Sequence, residues 1–93
     1  MQSTAVSIVP NPLNPRAKLT FATSRAGAMR VQLFDTRGRL VRTIVEGEAP
    51  AGGHDIEIDG RTDSGSRLAS GVYLVRIWTE HDGVSATRLT LLK

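Results

Sequence analysis

Apolar residues recur at every second position through most of this chain, and no other feature constrains its fold as strongly. Met29, Val31 and Leu33 alternate with Arg30, Gln32 and Phe34. Ile56 and Ile58 flank Glu57. Tyr73, Val75 and Ile77 alternate with Leu74, Arg76 and Trp78, and Leu89 and Leu91 with Arg88 and Thr90. Neighbouring residues of a strand point to opposite faces, so each set lines one side of a sheet. No window of about a dozen residues sustains the period of an amphipathic helix.

The punctuation between these runs agrees with strands. Arg37-Gly38 reads as a tight hairpin turn in which Gly38 supplies a positive φ, and His81-Asp82-Gly83 plays the same part near the end, its Asp-Gly pair suited to a type I′ turn. Residues 49–53 and 59–71, rich in Gly, Pro and small polar residues, read as loops. The strands expected are 5–9, 17–23, 28–35, 39–46, 53–59, 72–80 and 84–92. Short strands with frequent turns predict an all-β, immunoglobulin-like β-sandwich of about seven antiparallel strands. The Cys and Trp markers of antibody domains are absent, so the expectation is one of architecture. A chain of 93 residues fills one core. The organisation expected is a single sandwich over 8–93, with 1–9 as either a first strand or the remnant of a linker.

Composition narrows the chemistry. Without cysteine, neither disulfides nor thiolate metal ligands are available. No apolar run approaches the ~18 residues of a membrane-spanning helix, and Met1-Gln2-Ser3-Thr4 lacks the basic and apolar regions of a signal peptide. The net charge is +3, and ten of the twelve basic residues are arginine. Such a balance fits an anionic partner, but arginines spread over solvated strand faces are the favoured reading, since no block of like charges occurs.

The candidate catalytic and ligand-binding residues each have a plainer reading. His54 and His81 stand far apart, each beside a turn, without the spacing of a metal pair. Asp59-Gly60-Arg61-Thr62-Asp63-Ser64-Gly65 invites a calcium reading, yet it places Arg61 among the ligands and lacks a distal Glu. Ser64, Ser66 and Ser70 have no nucleophile elbow, and Glu46, Glu48, Asp55 and Glu57 are ordinary surface acids of strands. The expectation is a chain without catalytic residues, cofactor, metal or nucleic-acid partner. Arg30, Arg76 and Arg88 share strand parity with Phe34 and Trp78, which gives a mixed arginine and aromatic face for a protein or glycan contact, or arginine stems covering sheet surface.

Five signatures occur in order. They are Pro10-Asn11-Pro12-Leu13-Asn14-Pro15; Phe34-Asp35 through Gly38 to Val41; Asp59-Gly60; Gly71-Val72-Tyr73 through Arg76; and a final Leu91-Leu92-Lys93. Together they resemble the type A C-terminal sorting domain of the type IX secretion system, and its relative, the immunoglobulin-like domain of the flagellar hook-capping protein. The resemblance covers residues 8 to 93. It departs from the family at Ile58, where a large aromatic is usual, and at Leu13, where Phe is common; both keep an apolar side chain.

The resemblance implies a non-enzymatic C-terminal tag on a secreted parent, which passes through the periplasm to the cell surface or medium. The implied partners are the outer-membrane translocon and a sortase-like peptidase, with lipopolysaccharide reached through the processed cargo. It also implies recognition by Gly71, Val72, Tyr73, Arg76, Arg88, Leu89 and Lys93, and turn-setting roles for Asn11, Pro12, Asn14, Pro15, Asp35, Gly38, Asp59 and Gly60. Gly71, Tyr73 and Leu89 are equally the residues a sandwich needs for a turn and a core. A terminal strand with alternating side chains offers an edge for strand addition, by a receptor or by a second copy in a weak dimer. The alternatives are a structural immunoglobulin-like spacer or assembly module and, behind it, a carbohydrate-binding module built on Trp78 and Phe34.

Overall fold

A computed structural model describes residues 6–13 and 16–92. Asn14, Pro15 and Lys93 lie outside the described residues. Seven strands follow in chain order: β1 (Ser7–Val9), β2 (Ala17–Thr23), β3 (Gly27–Phe34), β4 (Leu40–Ala49), β5 (Gly52–Ile58), β6 (Gly71–Thr79) and β7 (Gly83–Leu91). They form two sheets, β1-β2-β5 and β4-β3-β6-β7, and every ladder between them is antiparallel. This is the expected all-β sandwich.

The alternation read from the sequence is the alternation of burial. Ala17, Leu19, Phe21 and Thr23 of β2 point inward; so do Met29, Val31 and Leu33 of β3, Tyr73, Val75 and Ile77 of β6, and Leu89 and Leu91 of β7. Leu19, Val31, Leu33, Val75 and Leu89 have no solvent exposure at all. Burying such a side chain contributes about 1.5–3 kcal/mol, so these few residues dominate the stability of a small domain. Ile58 and Leu13 are also buried, so the positions that depart from the family pattern keep their inward role.

Strand β4 departs from simple alternation. Its ladder with β3 shifts register twice, skipping Ile44 and then Val41. Each skip is a bulge, in which one extra residue changes which face the strand presents. Val41, Ile44 and Val45 all pack against the core as a result, although the spacing of Val41 and Ile44 fits no strict period of two. The strand also runs on to Ala49, and β5 already starts at Gly52. The loop expected over 49–53 is therefore reduced to Pro50 and Ala51, which carry the chain from one sheet to the other. Thr23 Oγ1 donates to the Pro50 carbonyl at 3.2 Å, and His54 Nε2 lies 3.0 Å from the same oxygen. A carbonyl only accepts, so this contact places a proton on Nε2.

The turns correct one expectation. In the β6–β7 hairpin Thr79 pairs with Gly83, and Gly83 alone has positive φ, at 82°. A type I′ turn needs positive φ at both central residues, so Asp82-Gly83 does not form one. Three residues, Glu80 to Asp82, make the connection, and Gly83 takes the left-handed position. The β3–β4 hairpin is similar: the Gly38 amide donates to the Asp35 carbonyl at 3.0 Å, and Gly38 has φ 83°.

Gly60 is constrained twice, by a φ of 71° and by a Cβ position 2.9 Å from Leu91 Cδ1, whereas Gly38 has open space around it. Gly38→Ala should therefore cost about 1–2 kcal/mol from conformation alone. Gly60→Ala should cost more, about 2–4 kcal/mol with the added crowding of Leu91. Urea unfolding of both variants checks the order; equal losses would show that Leu91 yields freely.

Candidate functional site

Strand β6 divides the candidate recognition residues by parity. Tyr73 and Leu89 face the core, whereas Val72, Arg76 and Arg88 share the outer face of the four-stranded sheet. Gly71 opens β6 with φ 154°, a conformation side chains rarely adopt. The residues named together in the sequence thus form two groups with different surroundings.

Tyr73 belongs to the inner group. Its hydroxyl donates to the Ala69 carbonyl at 2.6 Å, four residues upstream, in the manner of a tyrosine corner. Burial pushes its hydroxyl pKa up, and the nearby Asp35 carboxylate adds to the shift. A raised folded pKa contributes stability that is complete below the unfolded value, about 10, and is lost as pH rises through the folded value.

The outer group lies on a ladder of cross-strand neighbours. Phe34 of β3 stands opposite Leu74, and Leu74 opposite Arg88; Gln32 stands opposite Arg76, and Arg76 opposite Ala86; Arg30 stands opposite Trp78, and Trp78 opposite Val84. The mixed arginine and aromatic face expected from parity is present. Between its rows lies a shallow groove of ≈ 620 Å³, floored by Phe34, Val72, Leu74 and Ala86 and flanked by Arg76 and Arg88. Val72, Leu74 and Val84 are 41%, 43% and 51% exposed, and the Arg76–Ala86 row lies between Leu74 and Val84. Arg30 is spoken for: its Nε donates to Glu46 at 2.8 Å, and its guanidinium sits 5.7 Å from the Trp78 ring centre. Arg76 and Arg88 have no such ion pair among the described residues.

The edge of this face is β7, and half of it is occupied. Asn11 Nδ2 donates to the Arg88 carbonyl at 2.9 Å, the Thr90 amide donates to Asn11 Oδ1 at 3.0 Å, and the Leu13 amide donates to the Thr90 carbonyl at 2.8 Å. Asn11 therefore replaces a strand's backbone with a side-chain amide, which offers the same donor and acceptor. Pro12 lies between the two contacts, and its lack of an N–H removes nothing from them. Only the Asn-Pro repeat hinted at this; nothing in the spacing identified β7 as its partner.

The remaining turn residues brace the sandwich. The Asp35 carboxylate accepts from the Arg39 and Arg37 amides, each at 2.9 Å, and from Arg39 Nε. These contacts, the Arg39 amide foremost, hold its pKa below the usual carboxylate value. Asp59 accepts from Arg42 Nη1 and from the Arg61 amide, and Asp63 accepts from the Thr43 amide on the free side of β4. The loop carboxylates considered for calcium are thus taken up by protein donors. Among the described residues no group of three metal-ligating side chains occurs. Asp55 accepts from Thr20, Glu57 pairs with Arg16, and Glu46 pairs with Arg30, so these acids are distributed over both sheets.

At the opposite end, Asp82 accepts from the Ser24 hydroxyl at 2.6 Å and the Ser24 amide at 2.8 Å, tying the β2–β3 turn to the last hairpin. The Ser24 hydroxyl above all keeps the Asp82 pKa low. Sequence reasoning assigned Asp82 only a turn role, and the partner lies 58 residues away.

A two-sheet sandwich with a tyrosine corner is an immunoglobulin-like module. The FlgD Ig-like domain family matches residues 11–83, and the chain belongs to this family. No curated protein matches the chain. Solved structures that share the fold include the following three. Latent, dimeric PorU of Porphyromonas gingivalis superposes with TM-score 0.74 at 19% identity, over 99% of this chain and 10% of that one. PorZ, a surface component of the type-IX secretion system of the same organism, gives 0.61 at 26% identity, over 96% of this chain and 12% of that one. FlgD of Pseudomonas aeruginosa gives 0.65 at 21% identity, over 97% and 74%. The chain thus spans about a tenth of PorU and PorZ.

Two outcomes are expected. Tyr73→Phe should lower stability by about 1 kcal/mol by leaving the Ala69 carbonyl without its donor, and should leave the fold intact; denaturant midpoints measure this. Asp82 stabilises above its unfolded pKa of about 3.9, and that contribution fades as pH falls through its lower folded value. Asp82→Asn should therefore be less stable than the parent at pH 6, and the gap should narrow at pH 2 in thermal melts. A gap independent of pH would mean that the charge is not what Ser24 recognises.

Proposed function

We propose that the chain is a non-catalytic C-terminal sorting domain of type A, which carries a secreted parent through the outer membrane by the type IX system to the cell surface or medium. The single observation that supports this best is the family's sandwich, which is also found within PorU and PorZ, the latter a surface component of that system. The ordered signatures from Asn11 to Leu92 point the same way. In this reading the translocon meets the domain in the periplasm, and a sortase-like peptidase then removes it, joining the cargo to lipopolysaccharide.

The division on β6 assigns roles within the motif. Gly71, Tyr73 and Leu89 serve the fold, through a turn, the Ala69 bond and the core. Val72, Arg76 and Arg88 stand on the outer face and are the residues available to a receptor. A second reading, a structural spacer or assembly module, is favoured by the family membership itself and by FlgD, three quarters of whose solved chain is matched.

A secretion assay separates the two. A periplasm-targeted fluorescent protein fused to residues 1–93 is expressed in a bacterium with an intact type IX system and in its translocon-null twin. Reporter at the surface or in the medium of the first strain alone is expected, with Tyr73→Phe still exported. Reporter held in the periplasm of both strains, while the host exports its own cargo, would leave the spacer as the better account.

A further inference from the structure

We propose that the open half of the β7 edge, with Arg76 and Arg88 beside it, takes an extended acidic segment of a partner protein, added as an extra strand with carboxylates at alternate positions. The inference rests on β7 being the contacted edge, and not on export itself.

The edge comes first. β7 is the last strand of its sheet. Asn11 and Leu13 cover the outward backbone groups of Arg88 and Thr90, and no strand among the described residues lies along Val84 and Ala86. Backbone groups alternate in direction along an antiparallel strand, so residues 84 and 86 direct theirs outward as 88 and 90 do. An uncovered edge of this kind is a template for strand addition.

The chemistry beside the edge selects the partner. Arg76 stands opposite Ala86, whose methyl is too short to screen it from the edge, and Arg88 is the next outer-face residue along β7. Arg30, Arg39 and Arg42 are each paired with a carboxylate; Arg76 and Arg88 are not paired among the described residues. Asp35, at the far rim of the groove, already accepts from Arg39. The open positions therefore attract negative charge.

Spacing makes the match specific. On an added strand, the residue paired with Ala86 and the one two places on, past the end of the pairing because Asn11 holds the Arg88 carbonyl, are about 6.6–6.8 Å apart in extended chain. Arg76 and Arg88 are diagonal neighbours across β6 and β7, a separation of roughly 7–8 Å. One carboxylate passes over Ala86 to Arg76 while the next meets Arg88, each able to form the forked pair that arginine favours. An anionic lipid would satisfy the charges but not the backbone groups of Val84 and Ala86.

The probe is a capped eight-residue peptide alternating Thr and Glu, titrated into the 15N-labelled chain, with a Thr/Gln peptide and phosphatidylglycerol vesicles as comparisons. The Glu peptide is expected to shift the Val84 and Ala86 amides most and to slow their exchange, and to bind at least tenfold more tightly than the Gln peptide. Arg76→Gln with Arg88→Gln should remove that preference. Ala86→Pro, tolerated where the N–H faces outward, should abolish binding while leaving the rest of the spectrum in place. Equal affinity for both peptides, shifts away from residues 84–88, no binding, or binding to vesicles alone would each overturn the proposal. A chain that is exported yet ignores the peptide would sink this inference and leave sorting standing; the opposite pattern would do the reverse.

Discussion

The inward row on the two central strands, Val31 and Leu33 of β3 against Val75 and Ile77 of β6, fixes the position of everything else. Val31 pairs with Ile77 and Leu33 with Val75, and these side chains are almost wholly removed from water. Because strand side chains alternate with period two, a slip of one residue in this ladder would send the entire row outward. The same register determines which residues stand back to back with the core. Arg30 meets Trp78, Gln32 meets Arg76 and Phe34 meets Leu74 because their neighbours are buried. The placement of the outer face is thus a by-product of core packing.

That coupling explains why one short motif carries two kinds of residue. Along β6 the buried Tyr73 and Val75 are each followed by an exposed residue, and the buried Ile77 by the half-buried Trp78. A run such as Gly71-Val72-Tyr73 therefore mixes the needs of folding with those of contact. Tyr73 is tied to Ala69 beneath the sheet, while Arg76 looks into solvent from the other side. The architecture fixes the first kind, whereas the second kind is left at the surface, where a contact would be made.

Much of this was legible in the sequence, for physical reasons. β2 and β3 alternate cleanly, as does the inward row Tyr73, Val75 and Ile77 of β6; in the first half of β7 the apolar Val84 and Ala86 face outward while Ser85 and Thr87 face in, so hydropathy there gives no guide to burial. β4 was less legible: two bulges let Val41 and Ile44 reach the core from positions that break the period. The Asp82 turn was misread because Asp-Gly is a local signal, whereas Asp82 answers to Ser24 across the end of the sandwich. Asn11 was recognised as part of a motif, but its place on β7 is a contact over 77 residues that no local pattern encodes. The arginine and aromatic face followed from parity; that Arg30 is paired and Arg76 is not depends on Glu46, a residue on a different strand.

The Asn11 contact also has a mechanical side. Residues 11–13 run parallel to β7, as the Leu13–Leu91 bridge records. Tension between whatever precedes Asn11 and whatever follows Leu91 would pull these two segments past each other along their length. The bonds to Arg88 and Thr90 would then be loaded together in shear, rather than opened one after another as in peeling a strand from its end. A module joined to its neighbours through these two points would resist such a pull at the very place where its N-terminal segment is fastened by the Asn11 side-chain amide and the Leu13 backbone amide.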